Sequence, residues 1–307
     1  MAIKPRAARP GDTIGLSAPS GSIDPAEVEA AVAELERLGY RVRVPDDLDR
    51  RTKFTAGSVE RRVEELHRLF ADPDVRAVMA VRGGAGASRL LPALDASLIA
   101  ADPKAFVGYS DLTALHLFLS RLGWVSVHGP MAARGLLPGR YHRESFLAAL
   151  AGEGAPYASA PDELDTLRAG EGEGVLRGGC LSLLAAAAGT PWALQPDPEG
   201  TILFMEDVRE RPFRLDRMLT QLRLSGAFEG VRGVVFGEMK GCAAEPGADY
   251  TLEDVLRDAL FGLDVPVAIG LSSGHANGPN VSLPLGTRAR LSCGEEARFA
   301  VLEPAVA

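Results

Sequence analysis

Ser110 stands where an apolar run meets a helical pattern. In "KAFVGYSDLTALHLFL", Ala105–Gly108 predict the end of a buried strand and Asp111–Leu122 carry apolar residues at helical spacing, which leaves the serine in the turn between them. A serine in that place has two uses. It can cap the helix, its hydroxyl oxygen accepting a backbone N–H. It can also be a nucleophile projected by a tight elbow, with the N–H of Asp111 helping to hold an oxyanion. Gly108 is the small residue two before the serine, but Leu112 stands where the elbow signature has its second glycine.

A serine nucleophile needs a base, because its hydroxyl is a poor nucleophile at neutral pH. The chain has five histidines. His67 lies in the charged helical pattern "VERRVEELHRLF", and His142 in a polar stretch without an evident partner. His116 follows Ser110 by six residues, about 240° around a helix, and so points away from the turn. His128 in "VSVHGP" and His275 in "SSGHANGPN" both sit at strand ends, where open α/β sheets place their ligands, and the residues alone leave both open. For the group that orients the base, "TILFMEDVRE" offers Glu206 and Asp207 at the end of an apolar strand, one of them free to be a cap or a surface carboxylate.

A third loop, "AVRGGAGASRLL", ends a strand with Gly83, Gly84 and Gly86. Glycines allow unusual backbone angles and close approach, so their N–H groups could form an anion nest or an oxyanion hole. The loop is neither G-x-G-x-x-G nor a Walker loop, which lacks support here without its lysine.

Positioning such residues needs a regular scaffold, and the first half predicts one. "TIGLSAPS" reads as a strand, "DPAEVEAAVAELERLGY" as a helix with Asp24 as N-cap, Pro25 at N1 and Gly39 as its stop, and "RVRVP" as the next strand. A helix over 58–70, the strand "RAVMAVRGG", short helices through Leu90 and Leu98, "AFVGYS", a helix and "WVSVHGP" continue the alternation, which implies a parallel sheet covered by helices. The stretch "AGEGAPYASAPDELDTLRAGEGEG" lacks periodicity and predicts a domain boundary, placed between residues 1–160 and 161–307. Beyond it, helices at "CLSLLAAAAG" and "FRLDRMLTQLRLSG" and strands at "TILFMED", "GVVFGEM", "PVAIGLS", "VSLPLG" and "RFAVLE" predict a smaller mixed α+β domain.

The chain has 307 residues, is 46% hydrophobic and carries a net charge of −8, which fits globular domains and argues against nucleic acid or an anionic membrane as partner. Three widely spaced cysteines form neither a C-x-x-C pair nor an even disulfide framework, as expected of reduced cytoplasmic thiols. No signal peptide or membrane span is expected.

Taken in order, "APSG", "AVRGGAGASRLLPALD", "FVGYSDLTALH", "VHGPM", "GGCLSLLAAAAGTPW", "ILFMEDV", "RLDRMLTQLRLSG" and "GHANGPNVSLPLG" resemble the serine LD-carboxypeptidases, or muramoyltetrapeptide carboxypeptidases, a family that includes microcin C self-immunity peptidases. The resemblance spans roughly Asp12 to Arg290. It implies Ser110 as nucleophile, Glu206 as the orienting acid and His275 as base, with the backbone N–H groups of Gly84 and Asp111 as oxyanion hole. It implies an N-terminal α/β domain related to class I amidotransferases, a C-terminal domain carrying the acid and histidine, and a homodimer. It also implies release of terminal D-alanine from a cytosolic muropeptide tetrapeptide, with no metal or cofactor; hydrolysis of a peptidyl-nucleotide on the same scaffold is the alternative. Arg82 is a conceivable partner for a substrate carboxylate. Ala85 stands where the family's glycine loop often has an aromatic ring, which bears on substrate choice. From outside the enzymes, a catalytically silent two-domain binding protein is the rival.

Overall fold

Buried apolar runs of four to six residues build the centre of the first sheet of the computed structural model, which describes residues 2–160 and 162–307. Its first half runs β1 (Thr13–Ser17), α1 (Ala26–Arg37), β2 (Arg41–Arg43), α2 (Val59–Ala71), β3 (Val75–Ala80), α3 (Ala96–Ala100), β4 (Ala105–Gly108), α4 (Thr113–Arg121) and β5 (Ser126–His128). All four pairings among these strands are parallel. Strands buried on both faces read as continuous apolar runs rather than alternating ones. Ala77 and Met79 of β3 join a cluster with Val28, Ala31 and Leu35 of α1, while Val78 and Ala80 join one with Leu66, Leu69 and Phe70 of α2.

Local signals set the helix ends. Ser58 caps α2 by accepting the Arg61 N–H. At α1 the cap position falls on Pro25, one residue later than the expected Asp24, yet the Asp24 carboxylate still accepts the Ala26 N–H. Gly39 takes φ +93° just past the helix, a value favouring glycine.

The chain continues through α5 (Ala132–Gly135), α6 (Arg143–Ala151), β6 (Asp165–Arg168), β7 (Gly170–Cys180), α7 (Leu181–Ala187), β8 (Thr201–Glu206), α8 (Pro212–Leu224) and β9 (Val231–Gly237). It ends with α9 (Leu252–Ala259), β10 (Val267–Leu271), β11 (Leu283–Leu285), β12 (Arg288–Cys293) and β13 (Ala297–Val301). The second sheet has the order β13-β12-β7-β8-β9-β10-β6. Its centre, β7 to β10, is parallel, and β6, β12 and β13 are antiparallel, which makes it the mixed sheet expected.

Two findings differ from the sequence reading. The aperiodic stretch contains β6 and the start of β7; glycines there erase the alternation because backbone passes close by, and a Cβ at Gly172 would meet the Arg232 carbonyl. Pro161, at the expected boundary, lies outside the described residues. The "VSLPLG" strand is not part of the second sheet either: β11 pairs antiparallel with β5 in the order β11-β5-β4-β3-β1-β2. It satisfies the edge of β5 and covers it, with Leu283 and Leu285 buried.

The first sheet reverses its strand order between β1 and β3, so a crevice opens beyond their C-terminal ends. The loops after β1, β3 and β4 all emerge there. The two halves are joined close by, where the Cys180 N–H donates to Thr113 Oγ1 at 3.0 Å. No helix among the described residues is long and apolar enough to cross a membrane.

Candidate active site

Ser110 follows β4 with φ +65°, a left-handed conformation that is strained for a residue with a side chain. The turn is possible because Gly108 has no Cβ: one placed there would lie 3.2 Å from Ala80 Cβ and 3.2 Å from Leu112 Cγ. Leu112 replaces the second glycine of an elbow because it turns inward and fills that space, fully buried. The serine does not cap the helix: the 3-10 turn over Ser110–Leu112 and α4 both start without a side-chain capping bond. Its hydroxyl lies against the glycine loop, where a Cβ on Gly83 would sit 3.2 Å from Ser110 Oγ.

The glycine loop is pressed onto the loop after β1. Gly21 N–H donates to the Gly83 carbonyl at 3.1 Å, and a Cβ at Gly84, whose φ is +125°, would lie 3.1 Å from Gly21 Cα. The buried Asp111 carboxylate ties both loops to the elbow, accepting from Ser20 Oγ at 2.5 Å and from the Ala87 N–H at 2.8 Å. Beneath them Arg62, 1% exposed, donates to the carbonyls of Pro19 and Gly86 at 2.9 and 3.0 Å. Asp111 therefore holds the loops through its side chain while its N–H, at the start of a helical turn, is left free of an intrahelical partner.

Glu206 ends β8 and is 1% exposed. Its space comes from two glycines: a Cβ at Gly237 would lie 2.7 Å from Glu206 Cβ, and one at Gly274 would lie 2.5 Å from Glu206 Cδ. One carboxylate oxygen, Oε2, accepts from both His275 Nδ1 at 2.7 Å and the His275 N–H at 3.0 Å. A carboxylate only accepts, so Nδ1 carries the proton and Nε2 is the free, basic nitrogen. Asn280 clasps the same loop, accepting from Gly274 N–H and donating to its carbonyl.

Charge follows this geometry. Burial pushes the Glu206 carboxyl up, but the histidines more than offset it and hold it at about 2. Both His128 and His275 act in that direction: His275 hydrogen-bonds Oε2 at 2.7 Å, and His128 Nε2 faces Oε1 at 3.8 Å, beyond hydrogen-bond distance. Burial pulls His275 down, yet the Glu206 hydrogen bond and charge raise it above its ordinary value. Tyr109 links the two halves: the residue before Ser110 sets its ring edge-on to His275, with centroids 5.1 Å apart.

The other candidates fall elsewhere. Asp207 accepts the Ser182 N–H at 2.7 Å in the first turn of α7 and is a helix-end carboxylate. His116 is buried between Ser126 Oγ and the Gly108 carbonyl, His67 accepts the Asp95 N–H, and His142 caps α6. Arg82 donates to the Ser22 carbonyl at the rim. Arg62 was not legible in sequence, because it sits among the charges of "SVERRVEELHRLF", which read as a solvated helix face.

Residues 14–129 match the LD-carboxypeptidase N-terminal domain and residues 173–291 the LD-carboxypeptidase C-terminal domain. The chain belongs to the LD-carboxypeptidase family. Among its relatives, the probable murein peptide carboxypeptidase of Bacillus subtilis is 34% identical over 99% of this chain and 95% of that protein. The murein tetrapeptide carboxypeptidase of Pseudomonas aeruginosa is 36% identical over 91% and 92% of the two chains. A crystal structure of muramoyltetrapeptide carboxypeptidase from Oxalobacter formigenes superposes with a TM-score of 0.83 at 32% identity, covering 95% of this chain and 99% of that one. The LD-carboxypeptidase fold thus accounts for both sheets.

Proposed function

We propose that this LD-carboxypeptidase is a serine peptidase that removes the terminal D-amino acid from murein tetrapeptides, with Ser110, Glu206 and His275 as its triad. The observation that carries the reading is the doubly bonded His275, its ring fixed by buried Glu206 beside the Tyr109–Ser110 elbow. His275 Nε2 takes the Ser110 hydroxyl proton as Oγ attacks the amide carbon, and the C–O bond forms as the carbonyl becomes an oxyanion. The N–H groups of Gly84 and Asp111 hold that oxyanion. The imidazolium then protonates the leaving amine, the C–N bond breaks, and a water activated by His275 releases the acyl group from Ser110. Among the described residues no hydrogen bond joins Ser110 to His275, and in many enzymes this bond tightens only once substrate is bound.

The same reading divides the machinery between residues 1–160 and 161–307, with β11 crossing back to the first sheet. It includes action in the cytoplasm and a homodimer, both by family likeness. The test is mass spectrometry of L-Ala-γ-D-Glu-meso-diaminopimelate-D-Ala incubated with the protein, Ser110→Ala and His275→Ala. Tripeptide and free D-alanine from the unsubstituted protein alone support the proposal. An intact tetrapeptide overturns the substrate, and cleavage of an aminoacyl sulfamoyl adenosine in a parallel arm would then assign the peptidyl-nucleotide chemistry. A fluorophosphonate probe that leaves Ser110 unlabelled would favour the silent binding protein.

A further inference from the structure

Glu206 uses one oxygen for His275 and leaves the other facing a second histidine. Glu206 Oε1 is buried and lacks a hydrogen-bond partner among the described residues, and so does His128 Nε2, 3.8 Å away. His128 is fully buried at the end of β5. Its ring stands edge-on to Phe204 at 5.0 Å and 5.9 Å from the Tyr109 ring, and its Nδ1 lies 3.3 Å from Ser273 Oγ. Two buried polar atoms aimed at each other and left unpaired are costly, most of all on a charged carboxylate.

We propose that His128 is a positioning residue that donates its Nε2–H to Glu206 Oε1, so that the carboxylate is held between two imidazoles. This deepens the triad reading and rests on it. Rotation of either side chain closes the remaining gap of about 1 Å. The carboxylate can only accept, so Nε2 carries a proton; the Ser273 hydroxyl, 3.3 Å from Nδ1, has a single proton, which goes either to the Val281 carbonyl at 2.8 Å, its oxygen then accepting from a protonated Nδ1, or to a bare Nδ1. Held by Oε2 alone, the carboxylate plane is free to turn; held at both oxygens, it fixes the plane of His275 and aims Nε2 at the serine. His128 touches no reacting atom. It also lies opposite Leu283 in the β5–β11 pairing, so the second anchor exists only when the two halves of the chain are docked.

The titratable groups facing this pair are His275 across Glu206, His116 at 6.1 Å from the His128 ring, Tyr109, and Cys180, which sits opposite Glu206 in register. The direct test is long-range ¹H–¹⁵N correlation spectroscopy of ¹⁵N-histidine-labelled protein. A proton on His128 Nε2, alone or with one on Nδ1, is expected; a bare Nε2 overturns the proposal whatever the variants do. Turnover supplies the second arm. His128→Leu is expected to lower kcat by about 10- to 100-fold with KM little changed and to displace the acid limb of the kcat/KM profile. His128→Gln, which keeps a donor near that position, is expected to stay within about 3-fold of the unsubstituted protein. A folded His128→Leu with unchanged kcat and acid limb, or Leu and Gln variants equally impaired, overturns the positioning role. If the unsubstituted protein is itself inactive on the tetrapeptide, the proposed function fails instead, and the two failures are distinct.

Discussion

Cys180 donates its backbone N–H to Thr113 Oγ1, and Cys180 is the residue opposite Glu206 in the β7–β8 register. Thr113 is three residues past Ser110 and opens α4, so one hydrogen bond between α4 and β7 relates Ser110 to Glu206. Gly179, at φ +143°, lets the strand and the helix come this close, since a Cβ there would lie 2.7 Å from Thr113 Oγ1. Thr113→Val keeps the shape and deletes the acceptor. It is expected to destabilise the chain by about 1–3 kcal/mol through the buried, unpaired N–H, read as a lower urea midpoint. It is also expected to lower kcat by about 10-fold as the two halves of the site drift apart.

Gly274 has no side chain because Glu206 occupies the space. Its φ of +84° and the 2.5 Å approach to Glu206 Cδ both penalise any substitution. Gly274→Ala is expected to push the carboxylate off His275 and to lower kcat by about 100-fold or more. Circular dichroism should still report a folded chain, because the loop lies at the sheet ends; wild-type turnover from Gly274→Ala would refute this role.

The pH dependence follows from the opposed shifts of Glu206 and His275. As the proposed base, His275 must be neutral to act, so the acid limb of kcat/KM should lie above 6.5, the ordinary histidine value, because Glu206 raises His275. Glu206→Gln removes that cause; the limb should move to lower pH, and kcat should fall by roughly 10³–10⁴-fold. Stability carries the same signature. The Glu206 contribution is present above 4.5 and is lost as pH falls toward about 2. The His275 contribution is complete below 6.5 and is lost as pH rises through its raised value. Urea midpoints measured against pH should show both slopes in the unsubstituted protein and flatter ones in Glu206→Gln.

Asp111 separates a backbone role from a side-chain role. Asp111→Asn keeps an acceptor for the Ala87 N–H, whereas Asp111→Leu leaves that N–H and Ser20 Oγ unpaired and frees the glycine loop. The Leu variant is expected to lose about 1–3 kcal/mol of stability and most of its turnover, although its own N–H is unchanged. The Asn variant should stay within about 10-fold in kcat. Equal turnover from Leu and Asn would show that the loop holds its shape without the carboxylate.

Much of this was legible in the sequence. The alternation of apolar runs and helical periods, with Gly39 ending the first helix, determined the parallel strands of the first sheet, because period and helix-stop signals are local properties of the chain. The elbow at Ser110 was visible for the same reason. Residue types alone did not separate His275 from His128 or Glu206 from Asp207; the ordered motifs did so only by resemblance. The structure shows the physical difference: Asp207 turns to the start of α7, Glu206 turns into the core, and the two histidines converge on it, His128 from β5 and His275 from the loop after β10. Gly172 and its neighbours hid β7, since a strand crossed closely by other backbone cannot alternate side chains. What only the tertiary structure decided are the long-range contacts: β11 joining β5, Arg62 buried under the loops, and Thr113 reaching Cys180. Such pairings depend on which surfaces meet after the chain folds, and no local pattern of residues encodes that meeting.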